Sequence, residues 1–423
     1  MPIKVFKFGG ASVKDATAVK NLPSILQHFR NDKLLVVVSA MGKTTNALEK
    51  VVHAYFNKDA KLPDYLLEVK EYHTKIISEL GFKPSHPLHS LISNCLTEIE
   101  WIIEETPSRG YAFAYDQVVS QGELMSTHIV SAYLNENGYP NQWLDARDVI
   151  QTDNSYREGT VDWELTGKLI RGKIPPMFET KSIVMTQGFI GSTSENFTTT
   201  LGREGSDYSA AIFSHCLDAN EMIVWKDVPG VLSADPKYYD DTVKLEQIGY
   251  LDAIELTYYG ASVIHPKTIK PLENKNIPLQ VRSFKTPGEK GTVIGNFNST
   301  KPLVPCFIFK VEQILISISV KDFSFVAEAH LSRIFALFAY HHVKINLTQN
   351  SAVSFSVCVD NDPFKIPALL EELKKEFKVL YNDHLRLVTV RHYYPSTIDR
   401  LIKDKTVLVE QRSRNTAQVV IKE

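Results

Sequence analysis

Residues 1–45 carry a strand–helix–strand pattern of apolar positions. Ile3, Val5, Phe6 and Phe8 predict a buried strand, and Gly9-Gly10 follow it at once. Val19, Leu22, Leu26 and Phe29 then recur on one helical face, with Asp15 placed as the N-cap. Leu34-Leu35-Val36-Val37-Val38 is a continuous apolar run, as expected of a parallel strand covered on both faces. From about 46 to 135 helical periodicity dominates, one stripe being Leu66, Val69, His73, Ile76, Ile77 and Leu80. A strand at Ser182–Thr186 leads into a stretch rich in Gly, Ser and Thr from Gln187 to Thr200. A helix over Asp207–Cys216 and a strand over Glu221–Trp225 come next. This alternation predicts a three-layer α/β domain with a central, mostly parallel sheet over 1–285.

The pattern then changes. Residues 286–305 are rich in turn formers and read as a linker. Beyond them come a strand at Ile314–Val320, a helix around Phe325–His341, a strand at Val353–Val359 and a helix at Pro363–Phe377. Further strands are expected near Leu385–Val390 and Gln418–Ile421. Units of this length fit ferredoxin-like α+β modules, so 306–423 is expected to hold one full module and a shortened second from Asp383.

Composition narrows the function classes. With 43% hydrophobic and 23% charged residues the chain reads as globular. A net charge of -2 without basic clusters argues against nucleic acid or an anionic membrane as partner. Cys95, Cys216, Cys306 and Cys358 are far apart, without metal-type spacing, and are expected to be reduced core thiols. No apolar run approaches about 18 residues, and no leader pattern precedes the first strand, so a cytoplasmic protein is expected.

Candidate chemistry lies at the predicted strand ends. Lys7 beside Gly9, Gly10 and Ala11 suits an anion, because a glycine turn before a helix presents unpaired N–H groups; an ordinary turn is the plainer alternative. Gly42-Lys43-Thr44 imitates the end of a P-loop, but Val37 stands where that motif needs a glycine. Ser39 and Thr45 remain, at the strand edge where α/β sheets bind ligands. Ser120–Ser126 reads as a helix start whose Glu123 either complements the helix dipole or meets a substrate ammonium. In Gly202-Arg203-Glu204-Gly205-Ser206-Asp207, Arg203 has the fork geometry for a carboxylate, and Asp207 either caps a helix or orients Lys7. Lys226-Asp227-Val228-Pro229-Gly230 reads as a strand and turn at the same edge, with Lys237 a little further on.

Taken in order, Lys7–Val13, Val38-Ser39-Ala40, Thr45-Asn46, Gly122–Ser126, Gly202-Arg203, Gly205-Ser206-Asp207 and Asp227–Gly230 resemble the signatures of aspartate kinases. The tail, notably Asn346–Ser351, resembles the ACT modules that follow that family's amino-acid-kinase domain. The resemblance implies transfer of the ATP γ-phosphoryl group to the β-carboxylate of L-aspartate, opening the route to lysine, threonine and methionine. It also implies that Lys7, Gly9, Gly10, Ala11, Lys226, Asp227, Leu232, Lys237 and Ser262 contact ATP. Ser39, Thr45, Glu123, Arg203 and Ser206 would hold aspartate, and Lys7 and Asp207 would serve catalysis. Mg2+ is expected on the nucleotide, with no metal site of the protein's own. Feedback by lysine or threonine is expected near Thr348, Gln349, Asn350 and Ser351, with ACT pairing giving a homodimer or homotetramer. Three residues depart from the family's pattern: Glu204 for a common glycine, Ser262 for a nucleotide-binding lysine, and Leu232 for an aromatic ring. A catalytically decayed amino-acid sensor, or a sister kinase acting on glutamate, are the alternatives.

Overall fold

The computed structural model describes residues 2–261, 264–297, 304–322 and 324–422. They divide into two compact units, one of 1–231, 246–254 and 263–298, the other of 232–245, 255–262 and 299–423. The strands up to residue 297 are β1 (Ile3–Phe8), β2 (Lys33–Val38), β3 (Asn141–Leu144), β4 (Ile183–Gln187), β5 (Ile190–Ser192), β6 (Thr198–Thr200), β7 (Glu221–Lys226), β8 (Gln247–Gly249), β9 (Leu279–Ser283) and β10 (Thr292–Gly295). The helices over the same stretch are α1 (Ala16–Lys20), α2 (Leu22–Leu26), α3 (Thr44–Asn57), α4 (Leu62–Glu79), α5 (Leu88–Glu104), α6 (Tyr111–Glu136), α7 (Trp163–Thr180), α8 (Gly205–Cys216), α9 (Tyr250–Tyr259) and α10 (Pro266–Glu273). Asp15 caps α1 as expected, its carboxylate accepting from the Ala18 N–H at 2.8 Å. Among the described residues no helix is long and apolar enough to cross a membrane.

Eight of the strands form one sheet in the order β3-β4-β2-β1-β7-β9-β10-β8, with only β9 and β10 antiparallel. The register lines up the strand ends: Phe8 faces both Val38 and Trp225, and Val38 faces Gln187. The segments after β1, β2, β4 and β7 therefore emerge side by side on one edge, where open parallel sheets place their ligands.

Two expectations need correction. Thr292–Gly295 lies inside the stretch read as a linker, yet it is a strand paired with both β8 and β9. Its neighbours are turn formers, so the short run gives no alternation long enough to register. Ser120–Ser126 is not a helix start but the middle of α6, a 26-residue helix buried along most of its length.

The second unit is built on β11 (Cys306–Val320), α11 (Glu328–Tyr340), β12 (Ile345–Asn350), β13 (Phe355–Asp360), α12 (Ile366–Glu376), β14 (Phe377–Arg391), α13 (Pro395–Ile402), β15 (Thr406–Arg412) and β16 (Thr416–Lys422). The six strands make one antiparallel sheet, β12-β13-β11-β14-β16-β15. Register shifts after Lys310 break the long β11–β14 ladder into two halves. One half, with α11 and α12, is a complete βαββαβ module, whose core includes Ile316, Ile318, Leu337, Phe338, Val357 and Leu369. The other half runs Leu385–Arg391, α13, β15, β16, and takes Cys306–Phe309 as its fourth strand. It has all four strands but one helix. Residues of the 232–245 segment, among them Ala234 and Tyr239, pack with Phe307, Val388, Val390 and Ile398 over that face.

Candidate active site

Strand alternation decides where Lys7 goes. Phe6 and Phe8 pack into one aromatic cluster with Phe29 and Trp225, Phe6 meeting Phe29 edge-on at 4.8 Å and Phe8 stacking on Trp225 at 6.1 Å. The residue between them must face the other side of the sheet. There Lys7, a residue only 8% exposed, places its ammonium 2.6 Å from Asp207 Oδ1 in the first turn of α8. Lys226, at the end of β7, is 3.8 Å from Asp207 Oδ2. Burial works to raise the Asp207 carboxyl, but Lys7 and then Lys226 outweigh it and hold it below the ordinary range.

The glycine turn closes around this charge. A Cβ on Gly9 would stand 3.3 Å from Lys7 Nζ, and one on Gly10 would stand 2.8 Å from the carbonyl oxygens of both Ala40 and Gly42. Only glycine fits at residue 10, since those oxygens belong to backbone that the Gly42 N–H ties to the Gly10 carbonyl at 3.1 Å. Ser12 Oγ donates to the Trp225 carbonyl at 3.0 Å, fastening the turn to β7, while Ala11 is exposed on it. Two ammonium groups and a backbone turn thus converge on one edge of the sheet.

An acidic group sits beside them. Gly122 lets α6 approach α3 closely, for a Cβ there would stand 3.0 Å from Thr44 Cγ2 and 3.1 Å from Leu48 Cδ1. Ser126 Oγ donates to the Ser39 carbonyl at 2.6 Å, and the Ala40 N–H donates to Glu123. Glu123 is 2% exposed, and burial pushes its carboxyl up to about 8 against the pull of Ala40 and Lys7. Its Oε2 accepts no hydrogen bond among the described residues. A buried carboxyl this short of donors has an oxygen still open to a partner.

The β6–α8 turn completes the edge. Gly202 and Glu204 both have positive φ, 76° and 54°. Arg203 between them is exposed and makes no ion pair among the described residues. The turn is anchored from below by Asp116, which the sequence reading missed. Its Oδ2 accepts from the N–H groups of Arg157 and Thr200 at 2.9 and 2.8 Å, and its Oδ1 from Thr200 Oγ1 at 2.7 Å. The only signal was a charged residue within an otherwise apolar helical run. A Cβ on Gly188, just past β4, would stand 2.6 Å from Ser206 Cβ, so α8 begins hard against the sheet. Glu204 carries a side chain where the left-handed backbone favours glycine. Glu204→Gly is expected to raise stability by about 1 kcal/mol, read as a higher melting temperature; an unchanged or lower one would refute the strain.

Residues 2–283 match the family model described as the Amino acid kinase family. The lysine-sensitive aspartokinase 3 of Escherichia coli (strain K12) is 30% identical over 395 residues, 92% of this chain and 86% of that protein. The chain belongs to the amino acid kinase family, on its aspartokinase branch. The E. coli aspartokinase III structure in complex with lysine and aspartate superposes with a TM-score of 0.85 at 27% identity, over 99% of this chain and 95% of that one. The structure of the same protein with aspartate and ADP gives 0.83 at 27% identity, over 99% and 96%.

This aspartokinase brings together Lys7, Gly9, Gly10, Ser39, Glu123, Ser206, Asp207 and Lys226 along one sheet edge, each on a strand end, a turn after one, or a helix abutting it. Thr45 is half-buried in the first turn of α3, and Asp227 is exposed just after β7. Leu232 and Lys237 belong to the second unit, where Leu232 bridges to Lys244 and the Lys237 N–H donates to Asp235 at 2.9 Å. Ser262 lies outside the described residues. Thr348, Gln349 and Asn350 lie on β12, the edge strand of the six-stranded sheet, and Ser351 opens the turn that follows. That strand escaped the sequence reading, which placed the effector near the segment and assigned no strand there. Among the described residues no group of three or more His, Cys, Asp or Glu is placed to hold a metal ion.

Proposed function

We propose that this aspartokinase transfers the γ-phosphoryl group of ATP to the β-carboxylate of L-aspartate, giving 4-phospho-L-aspartate. The observation that carries the reading is the buried Lys7–Asp207–Lys226 cluster over the glycine turn, with the donor-poor Glu123 beside it. A side-chain carboxylate is ionised at neutral pH, so the acceptor needs no general base. Catalysis reduces to holding acceptor and phosphate in line and neutralising charge as it spreads over the transferring group. Lys7 and the N–H groups of Gly9, Gly10 and Ala11 take the β- and γ-phosphate oxygens, with Lys226 and Asp227 on the nucleotide side. Asp207 holds and aims the Lys7 ammonium, which it meets at 2.6 Å. Arg203 takes the α-carboxylate of aspartate and Glu123 its ammonium, with Ser39, Thr45 and Ser206 as hydroxyl partners. Mg2+, where bound, would take most of its ligands from the nucleotide, since Asp207 already faces two lysines.

Leu232, Lys237 and Ser262 are carried as nucleotide contacts on the resemblance alone. The Thr348–Ser351 segment is the proposed effector region, lysine being the first candidate because the E. coli relative is lysine-sensitive. Pairing of second units into a homodimer or homotetramer would place that segment at a shared surface, since Gln349 and Asn350 at the end of β12 are exposed. All four cysteines are buried, in keeping with a cytoplasmic enzyme.

ADP release coupled to NADH oxidation, with ATP, Mg2+ and L-aspartate, tests the reaction. Turnover with aspartate and little with L-glutamate is expected, falling as lysine or threonine rises through the millimolar range. Amino-acid binding without turnover would instead leave a sensor, and preference for glutamate a sister kinase.

A further inference from the structure

Asp116, a fully buried carboxylate of α6, takes no part in the proposed chemistry. It faces β6, the strand that leads through Leu201 and Gly202 to Arg203. Among the described residues β6 pairs with β5 alone. Its other edge therefore needs partners for the N–H and carbonyl groups of Thr198 and Thr200. Two neighbouring side chains of α6 and one loop supply them. Gln117 accepts from the Thr198 N–H at 3.1 Å and donates to the Thr198 carbonyl at 2.7 Å. Asp116 accepts from the Thr200 N–H at 2.8 Å, and the Gly159 N–H donates to the Thr200 carbonyl at 2.8 Å.

Asp116 also joins the strand to that loop, because the same Oδ2 accepts from the Arg157 N–H at 2.9 Å. Loop and turn touch where they meet: a Cβ on Gly202 would stand 3.2 Å from both the Arg157 carbonyl oxygen and Glu158 Cγ. Arg157 and Gly202 are both left-handed, with φ of 70° and 76°. A non-glycine residue keeps such a backbone where its surroundings over-determine it. The Arg157 side chain is engaged elsewhere, over the Tyr115 ring at 4.4 Å and 3.6 Å from Glu49, so it is the backbone that Asp116 fixes. Three donors converge on the one side chain, since Thr200 Oγ1 donates to Oδ1 at 2.7 Å. A carboxylate accepts all three, whereas an amide would turn its NH2 against one of them. Burial pushes the carboxyl up to about 6, so at neutral pH it is mainly ionised and the bonds are charge-assisted.

We infer that Asp116 is a positioning residue for the amino-acid substrate, holding the Gly202-Arg203 turn against the 153–159 loop so that the Arg203 guanidinium meets the substrate's α-carboxylate. The inference rests on the proposed role of Arg203. That side chain is exposed and makes no ion pair among the described residues, so its aim depends on the backbone that carries it. Misplacing a bidentate fork weakens the contact it makes, and the loss falls on binding rather than on the phosphoryl transfer.

Steady-state kinetics of the full chain with ATP, Mg2+ and L-aspartate test this at pH 8.5, where Asp116 and Glu123 are both mostly ionised. Asp116→Asn should raise the KM for aspartate at least about tenfold, with kcat and the KM for ATP within about threefold of the parent. Thr200→Val removes just the Oγ1 donor and should raise the aspartate KM about threefold, while Thr200→Ser, which keeps that donor, restores the parent value. This pair reads the same contact where Asp116→Asn does not fold. Arg203→Ala should raise the aspartate KM by itself, and in its background Asp116→Asn or Thr200→Val should add no more than about twofold, because both act through Arg203. An aspartate KM unmoved by Arg203→Ala would overturn the reading of Arg203 and the inference with it. A KM that responds to Arg203→Ala but not to Asp116→Asn, or not to Thr200→Val where the first variant does not fold, would overturn the inference alone. So would effects that add in full to Arg203→Ala, or losses of kcat and ATP affinity as large as the loss in aspartate KM, the mark of a merely structural role.

Discussion

Lys7→Ala is expected to lower kcat about a thousandfold while leaving aspartate binding, measured by titration calorimetry, within a few-fold of the parent. The expectation follows from what the side chain touches. It is a cation at the glycine turn, and under the proposed function its charge serves the transferring phosphate rather than the bound amino acid, so its loss should appear in turnover. The substitution also strands Asp207, a buried carboxylate whose nearest remaining cation is Lys226 at 3.8 Å. Breaking a buried pair on one side costs about 3–5 kcal/mol, so a fall in melting temperature accompanies the loss of activity. The double variant Lys7→Ala/Asp207→Asn separates the two effects. It should recover much of the stability and none of the turnover. A kcat within tenfold of the parent in Lys7→Ala would remove Lys7 from the chemistry, and recovery of turnover in the double variant would reduce it to a structural role.

The parts of the fold legible in the sequence are those where period and burial coincide. β2 is a continuous apolar run and β1 and β7 carry apolar stretches, all three buried in the sheet, and the helix after the glycine-framed arginine begins within two residues of its expected start. What escaped is short or assembled from distant chain. β3 is four residues with a polar start, and β8 is three. The second module gets its fourth strand from Cys306–Phe309, far upstream of the rest, and no local pattern announces such a pairing. The candidate site divides the same way. Lys7, Gly10 and Asp207 could be named from motif and chemistry, because each sits at a strand end or helix start. Glu123 was named for the wrong context: it sits in the middle of a buried helix, where the dipole explanation no longer applies. Asp116 had no motif at all, since its partners on Arg157 and Thr200 are backbone groups brought in by two separate loops.

Aspartate affinity is expected to rise with pH up to about 8, because Glu123 must ionise to receive an ammonium group. Burial pushes its carboxyl up to about 8, so near pH 7 the side chain of the free enzyme carries a proton for most of the time. Binding a substrate ammonium stabilises the carboxylate and expels that proton. Affinity should therefore improve by up to about tenfold per pH unit below 8 and level off above it. The sign is opposite for the folding of the empty enzyme. Its native state holds a proton on Glu123 that the unfolded chain, at the ordinary 4.5, has already lost, so this group's contribution to stability declines as pH rises from 4.5 to 8. Glu123→Gln separates the two claims. Aspartate should bind the variant about a hundredfold more weakly at pH 8.5, the loss of one buried charge-assisted contact, and with an affinity nearly independent of pH. The variant's melting temperature should also fall less between pH 5 and 8 than the parent's. Titration calorimetry in two buffers of different ionisation enthalpy reads the released proton directly. Release of close to one proton at pH 6.5 in the parent and none in the variant is the expected result; equal release in both would move the ammonium site away from Glu123.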